Sequence, residues 1–151
     1  MDDWYLKPYD RRLEMKTPVS KVGAYDSPDG LVSATVVLQC ETEETGESTL
    51  FQALLQKLAR HVAERNPAYL CFSDVPAAVL SSDVEIRRQR HIQEGKPLKI
   101  AERLAINETR RHLFELCLME QETDLGRVED LIKDVIARTG EFIRVGEFQR
   151  T

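Results

Sequence analysis

Alternating apolar and polar positions near the start of the chain predict a β-hairpin. Within residues 31–40 the even positions are apolar, which is the period of a strand with one buried face. Residues 19–25 are predicted to form a preceding strand, and residues 26–30 between the two are dense in turn-forming types. The hairpin loop is therefore expected to be slightly longer than the tightest types.

A helical stripe follows this hairpin. Thr49 and Gln52 offer a capping box, and apolar residues recur at helical spacing as far as Pro67. The stripe comprises Leu50, Phe51, Leu54, Leu55, Leu58 and Val62. Residues 68–73 form a short apolar run, which predicts a central strand. If this strand is parallel to residues 31–40, the crossover between them is right-handed.

Two helices are predicted next. Ser82 and Glu85 form a capping box for the first, and Pro97 fits the first turn of the second, which continues to about Glu120. The second helix becomes apolar on nearly every side at residues 113–119. We therefore expect this end to be deeply buried or covered by another subunit.

A third helix and a last strand complete the predicted pattern. Thr123 or Asp124 is expected to cap the helix, and Gly140 to end it. Its apolar stripe comprises Val128, Leu131, Ile132, Val135 and Ile136. Residues 141–148 predict a strand that returns to the sheet edge, although Gly146 weakens the pattern.

Together these elements predict an α+β fold in a single domain of 151 residues. A small mixed sheet, built from the hairpin and a βαβ-like unit, is packed by one helix and followed by a helical C-terminal half. Residues 1–73 form the sheet half, 82–140 the helical half and 141–148 the returning strand. No apolar run is long enough to span a bilayer and no signal peptide is recognised, so we expect a cytoplasmic location.

Charge is distributed unevenly along the chain. The whole sequence has a formal net charge of −5, whereas residues 87–112 carry eight basic and three acidic side chains. The predicted partner-binding or nucleic-acid-binding patch comprises Arg87, Arg88, Arg90, Lys99, Arg103 and Arg110.

Three interpretations of this patch are open. The arginines pair with local carboxylates on a solvated hairpin, or they contact an acidic protein, including the acidic loop 41–47 of a second copy, or they contact phosphates. Overall acidity and the lack of interleaved aromatics weigh against nucleic acid. Near the N-terminus, Trp4, Tyr5 and Tyr9 are candidate interface anchors, or they pack within the fold.

No catalytic or metal-binding motif is recognised, and no cofactor or metal is expected. The three cysteines, Cys40, Cys71 and Cys117, lie in apolar segments and are expected to be buried free thiols. His61 is predicted to be a surface residue. Glu129 and Asp130 are likewise expected on the surface, where adjacent carboxylates need no chemical role.

The sequence therefore favours a non-enzymatic interaction or assembly protein that binds a macromolecular partner and itself, such as a phage or mobile-element accessory protein. The first alternative is a nucleic-acid-binding protein that uses the basic segment 87–111. The second is a small enzyme with its site near Cys71 and Asp74, at the carboxyl end of the predicted strand 68–73.

Overall fold

A computed structural model describes residues 16–151. Three strands form an antiparallel sheet in the order β1-β2-β5, with β1 at Val19–Asp26, β2 at Ser33–Cys40 and β5 at Arg144–Arg150. The C-terminal strand therefore pairs directly with β2, which is the central strand.

Five α-helices accompany this sheet in the described part of the chain. They are α1 (Glu43–Gly46), α2 (Thr49–Arg65), α3 (Ala77–Gln93), α4 (Leu98–Glu115) and α5 (Val128–Thr139). Single 3₁₀ turns lie at Phe72–Asp74 and Leu118–Glu120, and a short hairpin of β3 (Glu122–Thr123) and β4 (Gly126–Arg127) precedes α5. None of the helices between residues 16 and 151 has the length and apolar character to cross a bilayer.

The main core lies between one face of the sheet and helices α2 and α5. Every second residue of β2 is buried, namely Ala34, Val36, Leu38 and Cys40. Phe51, Leu55, Leu58 and Val62 of α2 pack in the same core, with Val128, Ile132 and Val135 of α5. These faces follow the periods of 2 and 3.6 in the sequence, and the α+β fold class is confirmed.

The predicted strand at residues 68–73 does not form, so within residues 16–151 the sheet is antiparallel rather than mixed and contains no parallel βαβ unit. Tyr69 makes one isolated parallel bridge to Cys117, and the chain then enters the 3₁₀ turn. The backbone N–H groups of Ala68 and Tyr69 both donate to the Leu116 carbonyl. Because β5 occupies the second edge of β2, this apolar run pairs with the end of α4 instead.

Two helices, α3 and α5, begin several residues away from their predicted starts. Helix α3 begins at Ala77, directly after Pro76, because proline suits the start of a helix and disrupts its interior. Helix α5 begins only at Val128. Thr123 does not cap it, because the Thr123 hydroxyl accepts a hydrogen bond from the Leu125 N–H and donates to the Gly126 carbonyl, which closes the β3–β4 turn.

A second, smaller core joins the helical hairpin α3–α4 to the rest of the molecule. It contains Phe72, Val75, Leu113 and Cys117, and the rings of Phe72 and Phe114 have centroids 4.5 Å apart. The apolar end of the second predicted helix is thus buried by its own chain. The distal half of the hairpin contributes to neither core, so it projects as an arm.

Glu129 is buried, contrary to the surface position expected for it. Only 1% of the residue is exposed, at the start of α5. Arg127 lies 3.4 Å and Lys133 3.3 Å from its carboxylate oxygens, and Arg127 also pairs with Glu120 and Asp130. The carboxylate is therefore compensated by two nearby cations.

Candidate protein-binding site

Small residues bring the two helices of the projecting hairpin together. Ala101, Ala105 and Thr109 recur at every fourth position of α4, and each is almost completely buried. Side chains this short allow close packing against α3. The contact surface between α3 and α4, which we call the seam, therefore contains little apolar area. Polar contacts fix much of the register between the two helices.

A polar network crosses this seam. Thr109 Oγ1 and Arg87 Nε each donate to Asp83 Oδ2 at 2.7 Å. Burial opposes ionisation of Asp83, but these two hydrogen bonds outweigh it and hold the pKa of the carboxyl below its usual value. Glu108 of α4 contacts both His91 and Arg90 of α3. The network fixes how one helix lies against the other.

The predicted basic patch divides between the two helices. On α3, Arg87 pairs with Asp83, Arg88 with Glu85 at 2.6 Å, and Arg90 with Glu108 at 3.3 Å. On α4, Lys99 and Arg103 are exposed and form no ion pair with a carboxylate of residues 16–151, and Arg110 is half-buried. The arginines of α3 thus pair with carboxylates of the hairpin, as the first of the three interpretations expected. On α4, Lys99 and Arg103 remain exposed and can contact a partner.

Exposed apolar side chains lie on the same arm. They are Ile86 of α3, 66% exposed, and Leu98, Ile100 and Ile106 of α4, 46–53% exposed. Single exposed apolar residues are ordinary on a soluble protein. Several of them on a projecting arm, set among cations, make a surface suited to binding another protein.

The acidic loop 41–47 is part of the folded body. Thr42 caps the short helix α1. The backbone N–H and the hydroxyl of Thr42 both donate to the Glu141 carboxylate, at 3.0 and 2.6 Å. In return, the Glu41 carboxylate accepts from the Phe142 N–H at 2.7 Å. These reciprocal bonds clamp the end of β2 to the α5–β5 turn.

Cys71 and Asp74 lie at the 3₁₀ turn beside a cavity of about 320 Å³. Cys71 is buried, and its N–H donates to Asp74 Oδ2 at 3.1 Å, so this carboxylate caps the turn. Both buried histidines are bonded elsewhere, His61 to Gln121 and His91 to Glu108. Across residues 16–151 no group of three His, Cys, Asp or Glu side chains is placed to hold a metal ion.

His61 is only 7% exposed and is not the surface residue predicted for it. Its Nε2 lies 2.8 Å from Gln121 Oε1, and Gln121 Nε2 donates to the Glu115 carbonyl. This chain of bonds joins α2 to the end of α4. Helical spacing placed His61 beside exposed neighbours on α2. It could not show that His61 is covered by Gln121, which lies 60 residues later in the sequence.

Protonation of His61 is expected to weaken the fold. Burial lowers the pKa of its imidazole below 6.5. The unfolded chain then binds the proton more tightly, so stability is complete above pH 6.5 and falls as the pH drops below it. Urea unfolding at about pH 7.5 and pH 5.5 should show a larger loss of stability for the wild type than for His61→Gln. Equal losses would contradict this assignment.

The predicted anchors Trp4, Tyr5 and Tyr9 lie outside the described residues. The hairpin arm, with Lys99 and Arg103 on α4 and its exposed apolar side chains, is therefore the candidate surface that the structure does describe. Its chemistry suits protein binding, because it combines cationic and apolar groups on a rigid helical scaffold.

The similarity of this chain to known proteins covers both hydrophobic cores and the α3–α4 hairpin. A family model described as elongation factor Ts matches residues 10–147. The chain is 36% identical over 132 residues to elongation factor Ts of Maridesulfovibrio salexigens, covering 85% of this chain and 64% of that protein. It is 35% identical over 133 residues to elongation factor Ts of Herpetosiphon aurantiacus, covering 86% and 67%. The chain thus spans about two thirds of the length of these relatives.

Proposed function

The chain belongs to the elongation factor Ts family, and we propose on that premise that it binds elongation factor Tu and promotes exchange of the nucleotide which that partner carries. The observation that carries the proposal is the family match over residues 10–147, which includes β1, β2, the α3–α4 hairpin, α5 and the first part of β5. The role requires a binding surface and no covalent chemistry from this chain. Cytoplasmic translation is the setting that we propose for it.

Membership of this family bears on two hypotheses drawn from the sequence. The interpretation as a self-assembling phage or mobile-element accessory protein is wrong, because the chain is a member of a translation-factor family. Binding of a protein partner, the other part of that hypothesis, is retained in the proposal. The nucleic-acid alternative receives no support from the family match.

Nucleotide release tests the proposed function directly. Elongation factor Tu from the same organism is loaded with a fluorescent guanine nucleotide, and its dissociation is followed after addition of the full chain. We expect the dissociation rate to rise with the concentration of the chain until it saturates. If neither the rate nor the elution volume of elongation factor Tu on gel filtration changes, the proposal is wrong.

The Cys71 alternative has its own outcome in the same assay. Cys71→Ser changes one buried atom and leaves the backbone hydrogen bond to Asp74 available. Because the proposed function uses no thiol chemistry, this variant should accelerate nucleotide release as the wild type does. A variant that folds and binds but no longer accelerates release would revive a chemical role for the cysteine.

A further inference from the structure

We propose that the aromatic segment at residues 4–9 packs across the outer face of the sheet, on the side away from α2 and α5. The surface that it contacts, which we call the outer sheet patch, comprises Val22 of β1 with Thr35 and Val37 of β2. The aromatic segment itself lies outside the described residues. The inference goes beyond the proposed function and does not depend on it.

The outer sheet patch is apolar where the outward face of a sheet is ordinarily polar. Val22 and Val37 are direct cross-strand partners, and Thr35 lies two residues from Val37 on the same face. Val22 is 66% exposed, Thr35 is exposed and Val37 is half-buried. Both core helices, α2 and α5, pack on the opposite face. The patch therefore offers β-branched side chains, which pair favourably with aromatic rings.

Polar groups border the outer sheet patch on three sides. At one end, Gln39 Nε2 donates to Ser20 Oγ at 3.3 Å. At the other end, Ser33 Oγ donates to Asp26 Oδ1 at 2.5 Å. Glu147 of β5 lies on the third side, beside β2. An apolar centre with a polar border is the usual form of a contact surface, and tyrosine suits such a border because its ring is apolar and its hydroxyl donates a hydrogen bond.

The size of the patch favours a segment of this chain over a second protein as its occupant. A stable interface between two proteins takes about 20 residues or more from each side. The outer sheet patch has three. A tethered segment needs far less contact, because the tether keeps its local concentration at the patch high.

The chain enters β1 beside the outer face. Thr17 is buried, and its Oγ1 lies 3.5 Å from Oε1 of the outer-face residue Gln39. Trp4 precedes Lys16 by twelve residues, and an extended segment of that length reaches about 40 Å. Val22 lies only about 10 Å from the start of β1. The segment is therefore long enough to fold back onto the patch.

The composition of the segment matches this surface. Trp4, Tyr5 and Tyr9 place three aromatic side chains within six positions. Such rings bury large apolar areas and carry a polar group that can remain at the border. Trp4 is the only tryptophan of the chain, so its fluorescence reports directly on whether the segment is packed.

Fluorescence of Trp4 in the full chain tests the inference. A packed tryptophan emits at a shorter wavelength than the same residue in the urea-unfolded chain. We expect the wild type to show this shift and Val22→Asp to lose most of it, because a carboxylate in the patch opposes burial of the indole. Ile86→Asp is the matched control, since Ile86 on α3 is also 66% exposed and its replacement adds the same charge. Its emission should equal that of the wild type.

Thr35→Lys provides a second variant of the patch, with the opposite charge. We expect it to lose the shift as well, because the patch then contains a different charged group that also opposes burial of the indole. Far-ultraviolet circular dichroism and urea unfolding confirm that each variant keeps the fold.

The remaining outcomes would overturn the inference. Wild-type emission equal to that of the unfolded chain would show that the segment is solvated. Full retention of the shift in folded Val22→Asp and Thr35→Lys would place the segment elsewhere, and an equal loss in Ile86→Asp would show that added charge alone explains the effect. A shift that disappears on dilution would assign the patch to a second copy, whereas a shift independent of concentration supports the inference. The nucleotide-release assay is separate, so failure here leaves the proposed function standing.

Discussion

Arg127→Ala is expected to lower the free energy of unfolding by about 3 kcal/mol, because it removes one of two cations beside the buried Glu129 carboxylate. Lys133 remains 3.3 Å from the same carboxylate, but its side chain is 47% exposed, so water weakens its interaction with Glu129. Arg127 further contacts Glu120 at 3.1 Å, so a second carboxylate loses a partner. Urea denaturation at neutral pH measures the loss.

A matched control and a rescue variant define this prediction. Arg138→Ala removes an exposed i, i+4 pair with Asp134 on the same helix and should cost no more than about 0.5 kcal/mol. Adding Glu129→Gln to Arg127→Ala should recover part of the stability, because a neutral amide needs no counter-charge. A loss below about 1 kcal/mol for Arg127→Ala would show that solvent or Lys133 compensates the carboxylate.

The burial of Glu129 illustrates what periodicity cannot predict. The stripe of α5 correctly identified Val128, Ile132 and Val135 as core positions. The neighbouring Glu129 was expected on the surface, because a charged residue next to an apolar one is usually solvated. Its burial is compensated by Arg127, which lies in the short β3–β4 hairpin, whereas the predicted cap at Thr123 or Asp124 would have placed Arg127 inside the helix.

Strands of the sheet could be predicted where one face of the strand is buried and the other is exposed to solvent. Alternation marked β2 because its inner residues pack on α2 and its outer ones do not. The run at residues 68–73 is apolar without alternation, and such a run is compatible with several buried conformations. Its partner proved to be the end of α4, a contact nearly fifty residues away that no local signal encodes.

The sequence predicted that the basic residues of the candidate site lie in one segment. It did not predict which of them are exposed and free to contact a partner. Composition placed the cations between residues 87 and 111, whereas their availability depends on pairing across a helical seam. Arg87 and Arg90 meet carboxylates on their own and the facing helix, and Lys99 meets none among the described residues. The pair between Arg90 and Glu108 depends on the antiparallel register of α3 and α4, which local sequence patterns do not encode.

The close approach of β1 to α2 leads to the second large expected effect. A Cβ atom at Gly23 would lie 2.6 Å from Leu55 Cγ and 3.1 Å from the Leu55 carbonyl oxygen. Leu55 is 1% exposed, so its side chain has no free space to enter, and the carbonyl belongs to the helix backbone. Gly23→Val should therefore force α2 away from the sheet and lower the free energy of unfolding by about 3 kcal/mol.

Ala24→Val is the matched control for this substitution, because it places the same valine side chain one residue along the same strand. Ala24 is exposed on the outer face, opposite Thr35, where a β-branched side chain is well tolerated. Its stability should stay within about 0.5 kcal/mol of wild type in the same urea titration. If Gly23→Val unfolded at the same urea concentration as Ala24→Val, α2 would not be held against β1 as closely as the distances imply. A large loss at Gly23 alone would locate the tightest helix–sheet contact of the main core there.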